Sequence, residues 1–213
     1  MHSCQVQSET NFIDWKVEAE LPGTTEKPHI GVAGPITGVI DEKLIIAGGA
    51  NFPNGMPWDG GSKYYQKDAY IYTLENNMLQ FDKQIYFPDS LAYTANVSSG
   101  GYLYTIGGER NGSATSDVFR FSFSNDSLHQ ETLPSLPLPL TNASAVCIQD
   151  SLYVVGGENA DLVSANVYVL DLNDLDQNWK FQYTLPNPVT HTMVATDGRK
   201  YIWIAGGRMR NLN

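Results

Sequence analysis

Cysteine, basic residues and long apolar runs are all scarce in this 213-residue chain, and each shortage excludes something. Two cysteines, Cys4 and Cys147, are far apart and in no CxxC spacing, which excludes a disulfide framework and a thiol-based zinc site. The 13 Lys and Arg are scattered among 23 Asp and Glu, for a formal charge of −10. A nucleic-acid backbone or an anionic lipid surface needs clustered cations, so neither is an expected partner. No apolar run reaches 18 residues, so no segment is a candidate transmembrane helix. The four histidines, His2, His29, His129 and His191, have no ligand spacing, so no metal is expected. There is no Gly-x-Ser-x-Gly elbow and no phosphate-cradling loop, and no cofactor is expected.

What is present points to strands. Twelve Tyr, eight Phe and four Trp accompany many Val, Ile and Thr, while 19 Gly and 11 Pro separate short apolar runs. The composition predicts an all-β protein. Cys147, in the run Ala145–Ile148, is expected to be a buried and inert thiol. Ser3-Cys4 before the polar stretch 5–10 reads as the start of a bacterial lipoprotein whose apolar signal has been removed. That reading would place the protein in the periplasm or on the outer membrane of a Gram-negative bacterium. A cysteine beside a tag is the equal alternative. The four Asn-x-Ser sites, at Asn96, Asn111, Asn125 and Asn142, are ordinary occurrences in a sequence of this composition.

The chain repeats itself. Four β-rich runs end in Gly-Gly, at Gly48-Gly49, Gly107-Gly108, Gly156-Gly157 and Gly206-Gly207, with spacings of 59, 49 and 50 residues. A second strand-like run follows each of the first three doublets, opened by Asp68, Asp117 or Asn166. In the first repeat this run comes ten residues later than in the others, so a loop has been inserted after Gly49. A third element closes the unit: Trp15 with Leu21-Pro22, Phe81 with Phe87-Pro88, Leu136-Pro137, and Trp179 with Leu185-Pro186. The phase holds across the chain and predicts four short strands per repeat of about 50 residues.

Four antiparallel strands, with Gly-Gly ending the second and an aromatic in the fourth, resemble the kelch motif, whose repeats build the blades of a β-propeller. The resemblance spans residues 12–213 and leaves 1–11 as a polar N-terminal segment. Residues 12–22 are then one outer strand, 30–87, 91–137 and 140–186 are three full blades, and 190–213 supply two strands. A six- or seven-bladed propeller would need roughly 300–350 residues at this period. The expected fold is thus an incomplete kelch-type propeller, with about three full four-stranded blades plus partial blades of a six-bladed parent. Its uncovered faces and strand edges predict low stability or self-association.

In kelch propellers the loop after each Gly-Gly faces the central channel. Here those loops carry Ala50, Glu109, Glu158 and Arg208, with Arg110 and Asn159 next in two of them. Glu109, Arg110, Glu158 and Arg208 would converge on one mouth and hold a polar, anionic small molecule. Ordinary polar turn residues are the plainer alternative. The inserted loop, 51–61, brings Asn51, Phe52, Trp58 and Asp59 to the same side, and its aromatics suit a sugar ring. A flap packing Trp58 over the propeller face is the alternative.

The stretch Gly31-Val32-Ala33-Gly34, then 44–49, then Ala50-Asn51-Phe52-Pro53-Asn54-Gly55 resembles bacterial N-acetylneuraminate epimerases, or sialic acid mutarotases. It is most similar to their cyclically permuted six-bladed relatives, where this stretch opens the chain. The resemblance implies an isomerase acting on a sugar acid, with a Glu just after a Gly-Gly doublet as acid/base and an Arg six residues later. Glu109 and Glu158 hold the first position and are the candidate catalytic residues, but Thr115 and Ser164 stand at the second. Blade order therefore implies that the family's catalytic blade lies beyond Asn213. The resemblance implies a substrate site made of Asn51, Phe52, Trp58, Asp59, Glu109, Arg110, Glu158 and Arg208. A non-catalytic kelch propeller binding a glycan or a protein is the alternative reading. A copper oxidase on a kelch scaffold lacks recognisable His and Tyr ligands.

Overall fold

The structure is a computed structural model and describes residues 16–209 apart from 24, 25 and 88. His2, Cys4, Trp15, Pro88 and the polar segment 1–11 lie outside the described residues, and with them the lipid-anchor reading of Cys4.

Each of the first three repeats builds one four-stranded sheet, and the first two add a separate two-stranded ribbon. The first contains β1 (Ile36–Ile40), β2 (Lys43–Ala47), the short β3 (Ala50–Asn51) and β4 (Tyr64–Tyr65), then β5 (Asp68–Glu75) and β6 (Met78–Tyr86). The second contains β7 (Ala95–Ser99), β8 (Tyr102–Ile106), the short β9 (Glu109–Arg110) and β10 (Ser113–Ala114), then β11 (Val118–Ser124) and β12 (Ser127–Thr132). The third contains β13 (Ser144–Ile148), β14 (Ser151–Val155), β15 (Asn166–Asp171) and β16 (Lys180–Thr184). A hairpin of β17 (Met193–Thr196) and β18 (Ile202–Ala205) follows. The long strands pair as antiparallel meanders in the orders β1-β2-β5-β6, β7-β8-β11-β12 and β13-β14-β15-β16. The predicted three four-stranded blades and a two-stranded remainder are therefore what forms among the described residues.

Local chemistry sets the turns. Asn76-Asn77 and Asn125-Asp126 both have positive φ at the two central positions, the backbone that matches the twist of a tight hairpin. Alternation along the strands then sends side chains to opposite neighbours. On β8, Leu103 joins Ile36, Ile45, Ile71 and Phe121 between the first and second sheets. Tyr104 and Ile106 face the other way and join Leu152, Val154, Leu170 and Trp179 between the second and third. The core thus lies between sheets, with the second blade supplying a wall to both its neighbours. The Trp179 indole N–H donates across this boundary to the Pro134 carbonyl at 2.8 Å. It fills the outer-strand aromatic position foreseen from the repeat.

The doublets join one blade to the next. The second glycine of each doublet donates its N–H to a carbonyl at the entry of the following blade: Gly49 to Leu91 at 2.8 Å, Gly108 to Leu140 at 2.8 Å and Gly157 to Val189 at 2.9 Å. The first glycine sits so close to the same carbonyl that a Cβ on Gly107 or Gly156 would stand 2.3 or 2.1 Å from it. Two residues further on, the entry strand donates back to the preceding blade: Tyr93 to the Gly34 carbonyl at 2.7 Å, Asn142 to Tyr93 at 2.9 Å and His191 to Asn142 at 3.0 Å. The innermost strands β1, β7, β13 and β17 accordingly lie side by side.

Two expectations are corrected. Residues 16–22 form no strand; they run irregularly against Leu44, Ile46, Tyr72 and Leu79 on the first sheet. Their polar groups are taken locally, since Tyr72 Oη donates to the Glu20 carbonyl and Lys16 pairs with Glu18. Cys147 is half-buried rather than buried. It alternates with Val146 and Ile148 on β13, close to the turn at Gln149, whose carbonyl lies 3.0 Å from its Sγ.

Gly156→Ala should cost about 2–4 kcal/mol, combining the left-handed backbone at φ 64° with the carbonyl overlap. Gly100→Ala, at φ 58° with open space around the added carbon, should cost only about 1–2 kcal/mol. Urea denaturation of both variants checks this; equal losses would overturn the close-approach account.

Candidate functional site at the channel mouth

The residue after each doublet is held by a reciprocal pair of backbone hydrogen bonds to the entry of its own blade. Ala50 pairs with Ala33, Glu109 with Ala92, Glu158 with Thr141 and Arg208 with Thr190. This pairing fixes where the side chains start. Glu109 and Glu158 then line one open depression of about 520 Å³, together with Ser113, Thr141, Asn142 and Asp161.

The two carboxylates are reached from opposite sides. Glu158 is 8% exposed and its Oε1 accepts from Arg208 Nη2 at 3.2 Å, on the following hairpin, and from Asn142 Nδ2 at 3.3 Å. His191 Nδ1 lies 3.6 Å from the same oxygen. Glu109 is reached from the preceding blade. Lys63 Nζ donates to its Oε1 at 2.6 Å, and Tyr65 Oη donates to the same oxygen. The Gly112 N–H donates to Tyr65 Oη at 2.7 Å, which orients the phenol. Burial would lower the Lys63 ammonium, but the hydrogen bond and charge of Glu109 outweigh it and hold the group above its ordinary value. Burial, then the bond to Glu109, pushes the Tyr65 phenol up. Both donors are therefore protonated at neutral pH.

The other expected site residues are placed differently. Arg110 turns outward, pairing with Asp117 at 2.7 Å and Asp89 at 3.2 Å, and lines a separate depression with Tyr64 and Lys67. Asn51 donates to the Gly31 carbonyl and accepts from Gln66, so its amide fixes the base of the inserted loop. Trp58 stands 77% exposed on a 3₁₀ turn, Pro57–Asp59; Phe52, Trp58 and Asp59 are not among the residues lining the Glu109–Glu158 depression. Thr115 and Ser164, six residues after the two Glu, serve turns: Thr115 Oγ1 accepts from the Asp117 N–H and Ser164 Oγ from the Asn166 N–H.

Lys63, Tyr65, Asn142 and His191 escaped sequence reasoning. Lys63-Tyr64-Tyr65 follow just after the inserted loop 51–61, and the position of that loop directly after a doublet was the available signal. The aromatics at 52 and 58 drew attention away from it. Asn142 and His191 share a repeat position with Tyr93, 49 residues apart in each step, which the doublet pattern did not include.

A match to the Kelch motif covers residues 90–127, the second blade with its doublet. N-acetylneuraminate epimerase of Brucella suis is 29% identical over 124 residues, 55% of this chain and 32% of that protein. The Yersinia pestis enzyme of the same name is 28% identical over 135 residues, 57% of this chain and 33% of its own. The chain is thus similar to the N-acetylneuraminate epimerases over a little more than half its length, and one of its repeats matches the Kelch motif. This chain spans about a third of the length of the curated relatives it matches. A solved structure entitled "Structure of YjhT" shares the fold with a TM-score of 0.65 at 17% identity, covering 84% of this chain and 63% of that one.

Lys63→Met should cost about 0.5–1 kcal/mol at neutral pH, as expected for a partly exposed ion pair. The folded ammonium titrates above its ordinary value, so the contribution is complete below about pH 10.4 and is lost as pH rises through the raised value. Urea midpoints of wild type and variant between pH 7 and 11 should converge only at the alkaline end. A difference that fades by pH 9 would show that Glu109 does not hold this ammonium.

Proposed function

We propose that the chain is part of a carbohydrate isomerase that interconverts cyclic forms of N-acetylneuraminate, and that the sugar binds at the mouth between the second and third blades. The observation carrying this reading is the pair of post-doublet carboxylates, Glu109 and Glu158, lining one open depression with Lys63 and Arg208 beside them. The similarity to N-acetylneuraminate epimerases supplies the substrate class.

The chemistry suits such a site. Opening a cyclic hemiketal requires the anomeric hydroxyl to lose a proton while the ring oxygen gains one and the bond from that oxygen to the anomeric carbon breaks. Closure on the other face of the carbonyl reverses each transfer and gives the other anomer. A carboxylate can accept the first proton, and a protonated group can supply the second. Glu158 and Glu109 are the candidates for accepting the first proton, and the protonated Lys63 and Tyr65 beside Glu109 can supply the second. A guanidinium or ammonium at the rim would hold the sugar's own carboxylate by charge-assisted hydrogen bonds. Arg208, with its side chain 64% exposed, can reach a ligand without leaving its blade.

Titration calorimetry with N-acetylneuraminate tests the reading. The wild-type chain should bind, and Arg208→Ala should weaken binding about tenfold or more, since one charge-assisted hydrogen bond is worth roughly 1.5–3 kcal/mol. No binding by wild type, or equal affinities, would overturn it.

A further inference from the structure

Ten non-glycine residues among those described have positive φ, and they divide into two groups. Asp41, Asn76, Asn77, Asn111, Asn125, Asp126 and Gln149 lie in tight turns between paired strands, where that backbone is required by the hairpin. Tyr93, Asn142 and His191, at φ 58°, 53° and 53°, lie in no hairpin. They occupy one repeat position, the entry to successive blades, and are the residues whose N–H bonds step from blade to blade around the channel.

The backbone at this position has a structural purpose, but the side chains do not follow from it. A left-handed residue is easiest as glycine, and the first blade has Gly34 there, at φ 56°. Replacing that glycine with Tyr, Asn and His in the next three places accepts backbone strain at each, most of all at the bulky tyrosine. All three side chains border the carboxylate site. Asn142 lines the depression and donates to Glu158, and His191 stands beside the same oxygen. The Lys63 ammonium lies over the Tyr93 ring, 5.0 Å from its centre. Gly34 has no room for a side chain because Tyr93 occupies it; a Cβ there would be 2.3 Å from the ring.

We propose that Tyr93, Asn142 and His191 form a collar of substrate-contacting residues that sets which sugar the mouth accepts. The proposal rests on the reading of this mouth as a sugar site. The ring of Tyr93 offers a face to a pyranose, and the amide of Asn142 and the imidazole of His191 offer directional hydrogen bonds to its substituents. The blade-to-blade backbone bonds hold all three at fixed positions, one per blade, against that strain.

Glycine substitution separates the roles, because it keeps the left-handed backbone and removes only the side chain. Asn142→Gly and His191→Gly, alone and together, should melt no lower than wild type, and each should weaken binding at least tenfold in calorimetric titration. Tyr93→Phe, which keeps the ring face, should retain affinity, while Tyr93→Gly should lose it. The ligands are N-acetylneuraminate and a neutral methyl pyranoside. Full affinity in the glycine variants, or a melting temperature that falls in step with affinity, would overturn the collar as a binding element while leaving the sugar-acid reading intact. Variants that lose a neutral sugar which wild type prefers would support the collar and overturn the sugar-acid reading. A wild-type chain that binds neither sugar would overturn both.

Discussion

One backbone contact governs this architecture: the approach of each Gly-Gly doublet to the entry carbonyl of the next blade. A four-stranded sheet with two apolar faces is unstable alone, so its neighbours must come close, and closeness at the axis is limited by the first carbon of any side chain. Glycine removes that limit and leaves an N–H free to bond the facing carbonyl. The fanning of the sheets, the shared cores between them and the position of the mouth all depend on this join. Tyr104 and Ile106 on one side of β8 and Leu103 on the other can be buried at once only because both neighbouring blades are drawn in.

The same join decides where chemistry can sit. The residue after the doublet has no freedom of its own, since its backbone is paired to the blade entry. At this position Glu109 and Glu158 both emerge into the depression between the second and third blades. Glu109 and Glu158 are therefore equivalent in origin and different in company. One is gripped by a lysine and a tyrosine from an insertion in the preceding blade, the other by an arginine and an asparagine with a histidine close by. Two copies of one scaffold position have become two distinct electrostatic environments.

Much of the fold was legible because the repeat is encoded by residues with a steric reason to be there. Gly107 and Gly156 are readable from one sequence, since few other residues fit those backbones. The placement of Glu109 and Glu158 at one mouth followed from the same phase. The partners of those carboxylates were not legible. Lys63 and Tyr65 reach Glu109 across a blade boundary and 44 to 46 positions along the chain, and only their place just after the inserted loop marks them. Arg110 looked like a site residue by position, yet the pleat of β9 turns alternate side chains to opposite sides and Asp89 and Asp117 capture it. The strand expected at 12–22 is missing from its described part, 16–22, for a different reason. A Leu-Pro mark records a repeat position, but a strand also needs a neighbour with free backbone groups.

The stepwise bonds from Gly34 through Tyr93 and Asn142 to His191 bear on how the molecule is made. Within a blade, each strand pairs with one that follows soon after it in the chain, so a sheet can form early and by itself. The collar exists only between blades, and each of its links waits until two finished sheets have met. The mouth is thus the latest part to assemble and the first to loosen when sheets separate. Any ligand seated across two blades would act as a clamp on that last step, tying occupancy of the mouth to the integrity of the whole array.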